Sequence, residues 1–128
     1  MELRAGDDAT WRLLEDFAHA FNRHDLDGVM RHMTEDCSFL RAAGPEPEGI
    51  RFEGQAAVRA AFAQVISDRP DVQWNAPVHI IDGNRAVTEW RFTCTLPDGT
   101  KTDVDGLDVF HLRDGKIHIK STFRKAPG

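Results

Sequence analysis

The chain has 128 residues, 41% hydrophobic and 29% charged, with 16 lysines and arginines against 21 aspartates and glutamates. That is enough chain for one domain, which can bury a core without disulfides or metal. The formal net charge of −5 excludes the basic footprint of a nucleic-acid binder or of a protein built for anionic membrane surfaces, and no apolar run approaches the roughly 18 residues of a membrane span.

In chain order, residues 1–8 read as a loose N-terminal arm without the apolar stretch of a secretory leader. A helix is predicted over 10–23, where Leu13, Leu14, Phe17, Ala18 and Phe21 form an apolar stripe. Asp7, Asp8 or Thr10 can cap it. A short helix follows over 26–33, capped by Asp25, with Val29, Met30 and Met33 inward. Residues 37–40 read as a short strand. Residues 41–52 read as a loop because Gly44, Pro45, Pro47 and Gly49 interrupt both helix and ladder. A third helix is predicted over 55–67, burying Ala57, Val58, Ala61, Phe62, Val65 and Ile66 and ended by Pro70.

From residue 72 the pattern changes to strands: 72–81 (with Pro77 marking an edge or a bulge), 86–96, 102–112 and 116–124, separated by turns at 82–84, 97–99 and 114–115. Helices followed by a strand meander imply one α+β domain, in which a curved antiparallel sheet is closed by three N-terminal helices into a cone. The interior of such a cone is the natural place for a small-molecule pocket.

Several chemistries lack their motifs. The six histidines include no i, i+4 pair, and Cys37 and Cys94 form no Cys-x-x-Cys unit, so no metal site is expected. The two cysteines read as buried free thiols of a cytoplasmic protein. There is no phosphate-cradling glycine loop and no nucleophile elbow around a serine. No cofactor is implied.

Strand parity isolates the polar residues that need explaining. Along 102–112, Asp108 shares a face with Val104, Gly106, Phe110 and Leu112. A carboxylate among apolar neighbours must be paired, hydrogen-bonded or protonated, which makes it a candidate for acid–base work or a satisfied structural group. Along 86–95, Thr88, Trp90, Phe92 and Cys94 share one face, and Val87, Glu89, Arg91, Thr93 and Thr95 the other. Glu89 and Arg91 are a surface ion pair if that face is convex and a ligand clamp if it is concave. Whether Trp11, Trp74 and His79 line the pocket or a dimer seam is left open by parity. So is the last hairpin. A two-residue turn at 114–115 sets Asp108 opposite Ser121. A three-residue loop with a bulge at Gly115 sets it opposite Lys120, with Thr122 on its side.

Residues 17–27 (FAHAFNRHDLD), 34–37 (TEDC), Glu89-Trp90 and 106–117 (GLDVFHLRDGKI) together resemble the nuclear transport factor 2-like superfamily, and within it the SnoaL-like branch that includes polyketide cyclases. The resemblance implies a conical α+β barrel with a deep pocket, dimerising through its sheet. Relative to ketosteroid isomerases, Asp108 matches the buried acid of the oxyanion hole. The isomerase tyrosine position looks like Phe17 and its general-base position like Arg41. Relative to limonene epoxide hydrolase, an Arg-x-Asp pair falls on Glu89 and Arg91 with the charges exchanged, its second aspartate falls on Thr122 and a pocket tryptophan on Lys120. Both comparisons imply that the Asp108 face and the Glu89/Arg91 face are concave, with Lys120 and Thr122 inside. Steroid isomerisation and epoxide hydrolysis are thereby disfavoured, because each triad is broken.

Two functions follow from the residues and the resemblance together. One is a cofactor-independent isomerase, cyclase or lyase acting on a small carbonyl-bearing or ring compound. Asp108 is then the acid or base, Arg91 and Lys120 stabilise developing negative charge, and Glu89 positions Arg91 or is itself the base. Phe17, Leu40, Phe62 and Phe110 wall the site beside Thr122, and Arg41 meets the substrate at the entrance. The other is a non-catalytic ligand-binding or vestigial dimeric module. In either case a homodimer is expected through Trp90, Phe92, Leu107 and Val109, taken as the convex face.

Overall fold

The structure, a computed structural model, describes residues 7–126. Helix α1 (Asp7–Asn22) starts earlier than expected, with Asp7 and Asp8 in its first turn, where acidic side chains suit the helix dipole. Two residues of the expected arm are therefore helical, and residues 1–6 lie outside the described residues. Its stripe buries Leu14, Phe17, Ala20 and Phe21. Helix α2 (Leu26–Arg31) is capped by Asp25, whose Oδ1 accepts from the Gly28 amide at 3.0 Å. It stops short of Met33, which opens strand β1 (Met33–Leu40), twice the expected length.

Strand β2 (Arg51–Glu53) forms within the segment read as a loop and pairs antiparallel with β1. Helix α3 (Gln55–Asp68) is held at its start by Gln55, whose side-chain amide donates to the carbonyls of Met30, Met33 and Thr34. It buries only Val58 and Phe62; Ala57 is exposed and Ala61 and Val65 are half-buried because they front a groove, while half-buried Ile66 packs against the cluster of Val72, Trp90, Phe92 and Cys94.

Strands β3 (Gln73–Asp82), β4 (Arg85–Thr95), β5 (Lys101–Arg113) and β6 (Lys116–Arg124) complete a six-stranded sheet in the order β2-β1-β6-β5-β4-β3. The sheet is curved and open, not a closed barrel. Its pairings are antiparallel except β1 with β6, which is parallel. β3 is both an edge strand and bulged, with its register shift between Asn75 and Val78 around Pro77. α1 packs against β3 and α3 against β1. The main core joins Phe17, Phe21, Phe39, Phe62 and Phe110. Cys37 and Cys94 are free and buried, and burial raises the Cys37 thiol above its ordinary value.

The last hairpin combines parts of both expected geometries. Asp114 (φ 53°) and Gly115 (φ 74°) are both left-handed, as a two-residue type I′ turn requires. The ladder nevertheless slips by one residue farther on: Leu112 pairs with Ile117 but His111 with Ile119, so His118 is the bulged residue rather than Gly115. The His118 Nδ1 lies 3.0 Å from Thr34 Oγ1, tying the bulge to β1. As a result Asp108 stands opposite Thr122, and Phe110 opposite Lys120.

Candidate active site

The pairing of β4 with β5 decides which faces are shared. Thr88 lies opposite Asp108, Trp90 opposite Gly106 and Phe92 opposite Val104. Even-numbered residues of both strands therefore point under the helices. Asp108 is 5% exposed and accepts three hydrogen bonds: from Lys120 Nζ to Oδ1 at 2.9 Å, from Thr122 Oγ1 to Oδ1 at 2.6 Å, and from Trp90 Nε1 to Oδ2 at 3.0 Å. Ammonium and indole N–H groups can only donate, so this carboxyl is held as an acceptor. That differs from the proton-donating acid implied by the isomerase resemblance.

Lys120 is 4% exposed and also donates to Thr122 Oγ1 at 2.9 Å. Its ammonium sits 4.9 Å from the centroid of Phe39, 5.3 Å from Phe21 and 5.7 Å from Phe62. Aromatic faces partly compensate a desolvated cation, and the carboxylate does the rest. No buried side-chain polar atom among the described residues lacks a partner.

Gly106 makes this arrangement possible. A Cβ there would lie 2.5 Å from the Trp90 ring and 2.6 Å from the Phe123 carbonyl oxygen, so only glycine lets the indole lie across β5 and reach Asp108. A second network backs the site. The His79 ring bridges Glu15 Oε2 at 2.7 Å and Thr88 Oγ1 at 2.8 Å, with its side chain 1% exposed. Trp11 packs edge-on against His79 and is 40% exposed, whereas Trp74 lines the interior against Phe21 and Phe92.

The interior space is small and stepped. An inner cleft of about 20 Å³ touches Asp108, Trp90, Thr88, Phe17, Phe110 and Lys120. A middle cleft of about 40 Å³ touches Lys120, Thr122, Phe39, Phe62, Arg41 and Arg124. Beyond it a groove of about 440 Å³ runs between α3 and β1 to the surface, sharing Phe39, Arg41, Val65 and Arg69 with the middle cleft.

Several expected site residues fall elsewhere. Glu89 and Arg91 are exposed on the outer face, opposite Leu107 and Asp105. Arg91 binds Asp103 through Nε at 2.6 Å and Nη2 at 3.3 Å, which raises the guanidinium above and holds Asp103 below their ordinary values. The epoxide-hydrolase resemblance ran one residue out of phase here, since Thr88 and Trp90 take the inward places. Trp90 and Phe92 are correspondingly core residues and not part of a convex seam; Leu107 and Val109 are outward as expected. Leu40 pairs with Ser121 on the outer side, and its neighbour Phe39 walls the site instead. Phe17, Phe62, Phe110, Arg41 and Thr122 do line the interior clefts.

The outer face carries a larger groove, about 680 Å³, bounded by Val78, Glu89, Arg91, Leu107 and Phe123. Of its charged walls, Glu89, Arg91, Asp105 and Lys125 are solvent-exposed and Arg124 is half-buried, and it lacks the buried Lys120–Asp108 pair of the inner clefts. The sequence reading missed Trp90, Phe39, Thr88, Arg69 and Arg124. Cross-strand parity through the 97–99 turn was the signal for Trp90 and Thr88.

Fold and interior define a class: a cone-shaped α+β protein with a buried acid–base pair at the end of a groove. Residues 14–118 match the SnoaL-like domain, and the chain belongs to that family. A proposed polyketide cyclase from Xanthomonas campestris is 25% identical, with a TM-score of 0.78 over 91% of this chain and 90% of that one. A nuclear transport factor 2-like protein of Mesorhizobium loti is 24% identical, with a TM-score of 0.76 over 93% of each chain. TerC, crystallised with polyporic acid, is 21% identical, with a TM-score of 0.78 over 91% and 92%. No curated protein sequence matches the chain. No helix among the described residues is long and apolar enough to cross a membrane.

Proposed function

We propose that this protein is a cofactor-independent acid–base enzyme of the isomerase, cyclase or lyase type, acting on a small carbonyl-bearing or ring compound. The observation that carries this reading is the buried Lys120–Asp108 pair, 2.9 Å apart, at the junction of the inner and middle clefts. A substrate carbonyl entering the inner cleft, which Lys120 and Asp108 both line, accepts a hydrogen bond from Lys120 Nζ. The Asp108 carboxylate removes a proton from the adjacent carbon, and the C–H electron pair moves onto the carbonyl oxygen as an enolate beside the ammonium. Return of the proton to a different carbon isomerises the substrate; attack of the enolate carbon on a second carbonyl closes a ring. Phe17, Phe62 and Phe110 exclude water, and Thr122 holds Asp108. Glu89 and Arg91 take no part, since they face away. The likeness to the Xanthomonas protein supports a ring-forming use of the same chemistry.

The test is deuterium exchange at the α-carbon of cyclic enones and 1,3-diketones, followed by NMR. The wild type is expected to accelerate exchange, and Asp108→Asn to lose it by about 100-fold or more. A non-catalytic or vestigial module is favoured by a different observation: the polar network satisfies itself and the two inner clefts hold only about 40 and 20 Å³. Exchange no faster than buffer, with no thermal stabilisation by enones, polycyclic ketones or carboxylates, selects that second reading.

We also propose a cytoplasmic homodimer through the outer face. Exposed Val78, Ile80 and Phe123 join half-buried Leu107 and Val109 there into one apolar surface.

A further inference from the structure

The middle cleft has an unusual charge balance. Lys120, Arg41, Arg69 and Arg124 line it, and no acidic residue does. Lys120 is already paired with Asp108. Arg41, Arg69 and Arg124 have no carboxylate within ion-pair distance among the described residues. Arg124 is half-buried with its guanidinium 4.4 Å from the Phe92 ring, and burial, followed by the like charge of Arg69, holds it below its ordinary value. Gathering like charges around a partly desolvated cleft is unfavourable unless an anion comes between them.

The adjoining groove has the complementary character. Its walls include Ala57, Ala60 and Ala61 of α3 and the rings of Phe39 and Phe52. Three small side chains on one helix face leave a shallow apolar floor that larger residues would fill. Asp68, the one acidic wall, directly precedes Arg69 at the C-terminal end of α3 and accepts from Gln64 Nε2 at 2.8 Å. The middle cleft, about 40 Å³, has room for a small polar group. A carboxylate is of that size, and planar guanidinium forks match its two oxygens.

We infer that this site takes an amphipathic organic carboxylate, its apolar ring body lying along Ala57, Ala60, Ala61 and Phe52 and its carboxylate held among Arg41, Arg69 and Arg124. This anion site goes beyond the proposed catalysis and does not depend on it, since Arg41, Arg69 and Arg124 line the middle cleft whereas Asp108 lines only the inner one. It also turns the arginines from a source of repulsion into the reason the site discriminates.

The experiment is calorimetric titration of wild-type protein with 2-naphthoate and with the matched neutral 2-naphthamide. The carboxylate is expected to bind at least about tenfold more tightly, with affinity falling as salt rises. Arg41→Gln and Arg69→Gln should each remove most of that preference, and Arg69→Lys should keep part of it. Ala60→Trp should weaken acid and amide alike by filling the floor. Unfolding curves confirm that each variant is folded, and Arg124→Lys tests the half-buried position without removing its charge. Equal binding of acid and amide, an unchanged preference in both glutamine variants, or no binding of either probe overturns the inference. Carboxylate binding that depends on the arginines, combined with failure of the α-proton exchange, removes the proposed catalysis and leaves the anion site standing.

Discussion

The indole Nε1 of Trp90 donates to Oδ2 of Asp108 at 3.0 Å, from a position on β4 opposite Gly106. The large ring is laid over a residue with no side chain, so one strand's aromatic group orients its neighbour's acid. Gly106→Ala would drive a Cβ to 2.5 Å from that ring. Overpacking of this kind costs about 1–3 kcal/mol. A lower urea midpoint and a red-shifted tryptophan emission are expected; an unchanged midpoint means that the strand yields freely.

The Lys120–Asp108 pair is 6% and 7% exposed at its side chains. Removing one partner strands the other, at a typical cost of about 3–5 kcal/mol. Lys120→Met and Asp108→Asn are each expected to be strongly destabilised, and the double variant to be much less so than their sum. Urea unfolding of all four proteins gives the coupling energy. A coupling below about 0.5 kcal/mol contradicts the pair's energetic role.

The His79 bridge pins α1 to the sheet through Glu15 and Thr88. His79→Phe keeps a ring but leaves buried Thr88 without this partner and half-buried Glu15 with only His19 near it. A loss of about 1–3 kcal/mol is expected, with faster amide exchange concentrated in α1. Uniform acceleration across the domain would show that the bridge is not local to that helix.

Stability should fall in two stages on acidification. Burial lowers His32 and His111 below 6.5, the ordinary histidine value. The unfolded chain therefore takes up protons first, and stability present above pH 6.5 declines as pH drops through the folded values. A second decline begins near 3.8, because Asp36, Asp71, Asp98 and Asp103 are held below that value, Asp36 chiefly by Arg113. His32→Gln should flatten the first stage, measured as the urea midpoint against pH, and leave the second in place.

For the proposed dimer, Ile80 and Phe123 are 54% and 55% exposed. Ile80→Lys combined with Phe123→Lys is expected to halve the mass seen by sedimentation equilibrium while leaving the far-ultraviolet spectrum unchanged. A wild-type protein that is already monomeric removes the proposal.

Much of this protein is legible along the chain. The apolar stripe of α1, the Asp25 cap, the turn residues and the period-two strands are local consequences of sequence, and they lead to the α+β cone. Asp108 stands out for the same local reason: a carboxylate among apolar neighbours on one strand face. What lies between strands is different. Parity says which residues share a face within one strand, and only the register through the 97–99 turn ties that face to the strand beside it; the β4–β5 register turned Glu89 and Arg91 outward and Trp90 inward. The bulge at His118 was equally hidden, because it rests on a contact with Thr34, far away in sequence. The middle cleft shows the same limit: Arg41 just after β1, Arg69 just after α3 and Arg124 at the end of β6 lie far apart in sequence, and only packing makes them one cationic site, because charge acts across space and not along the chain.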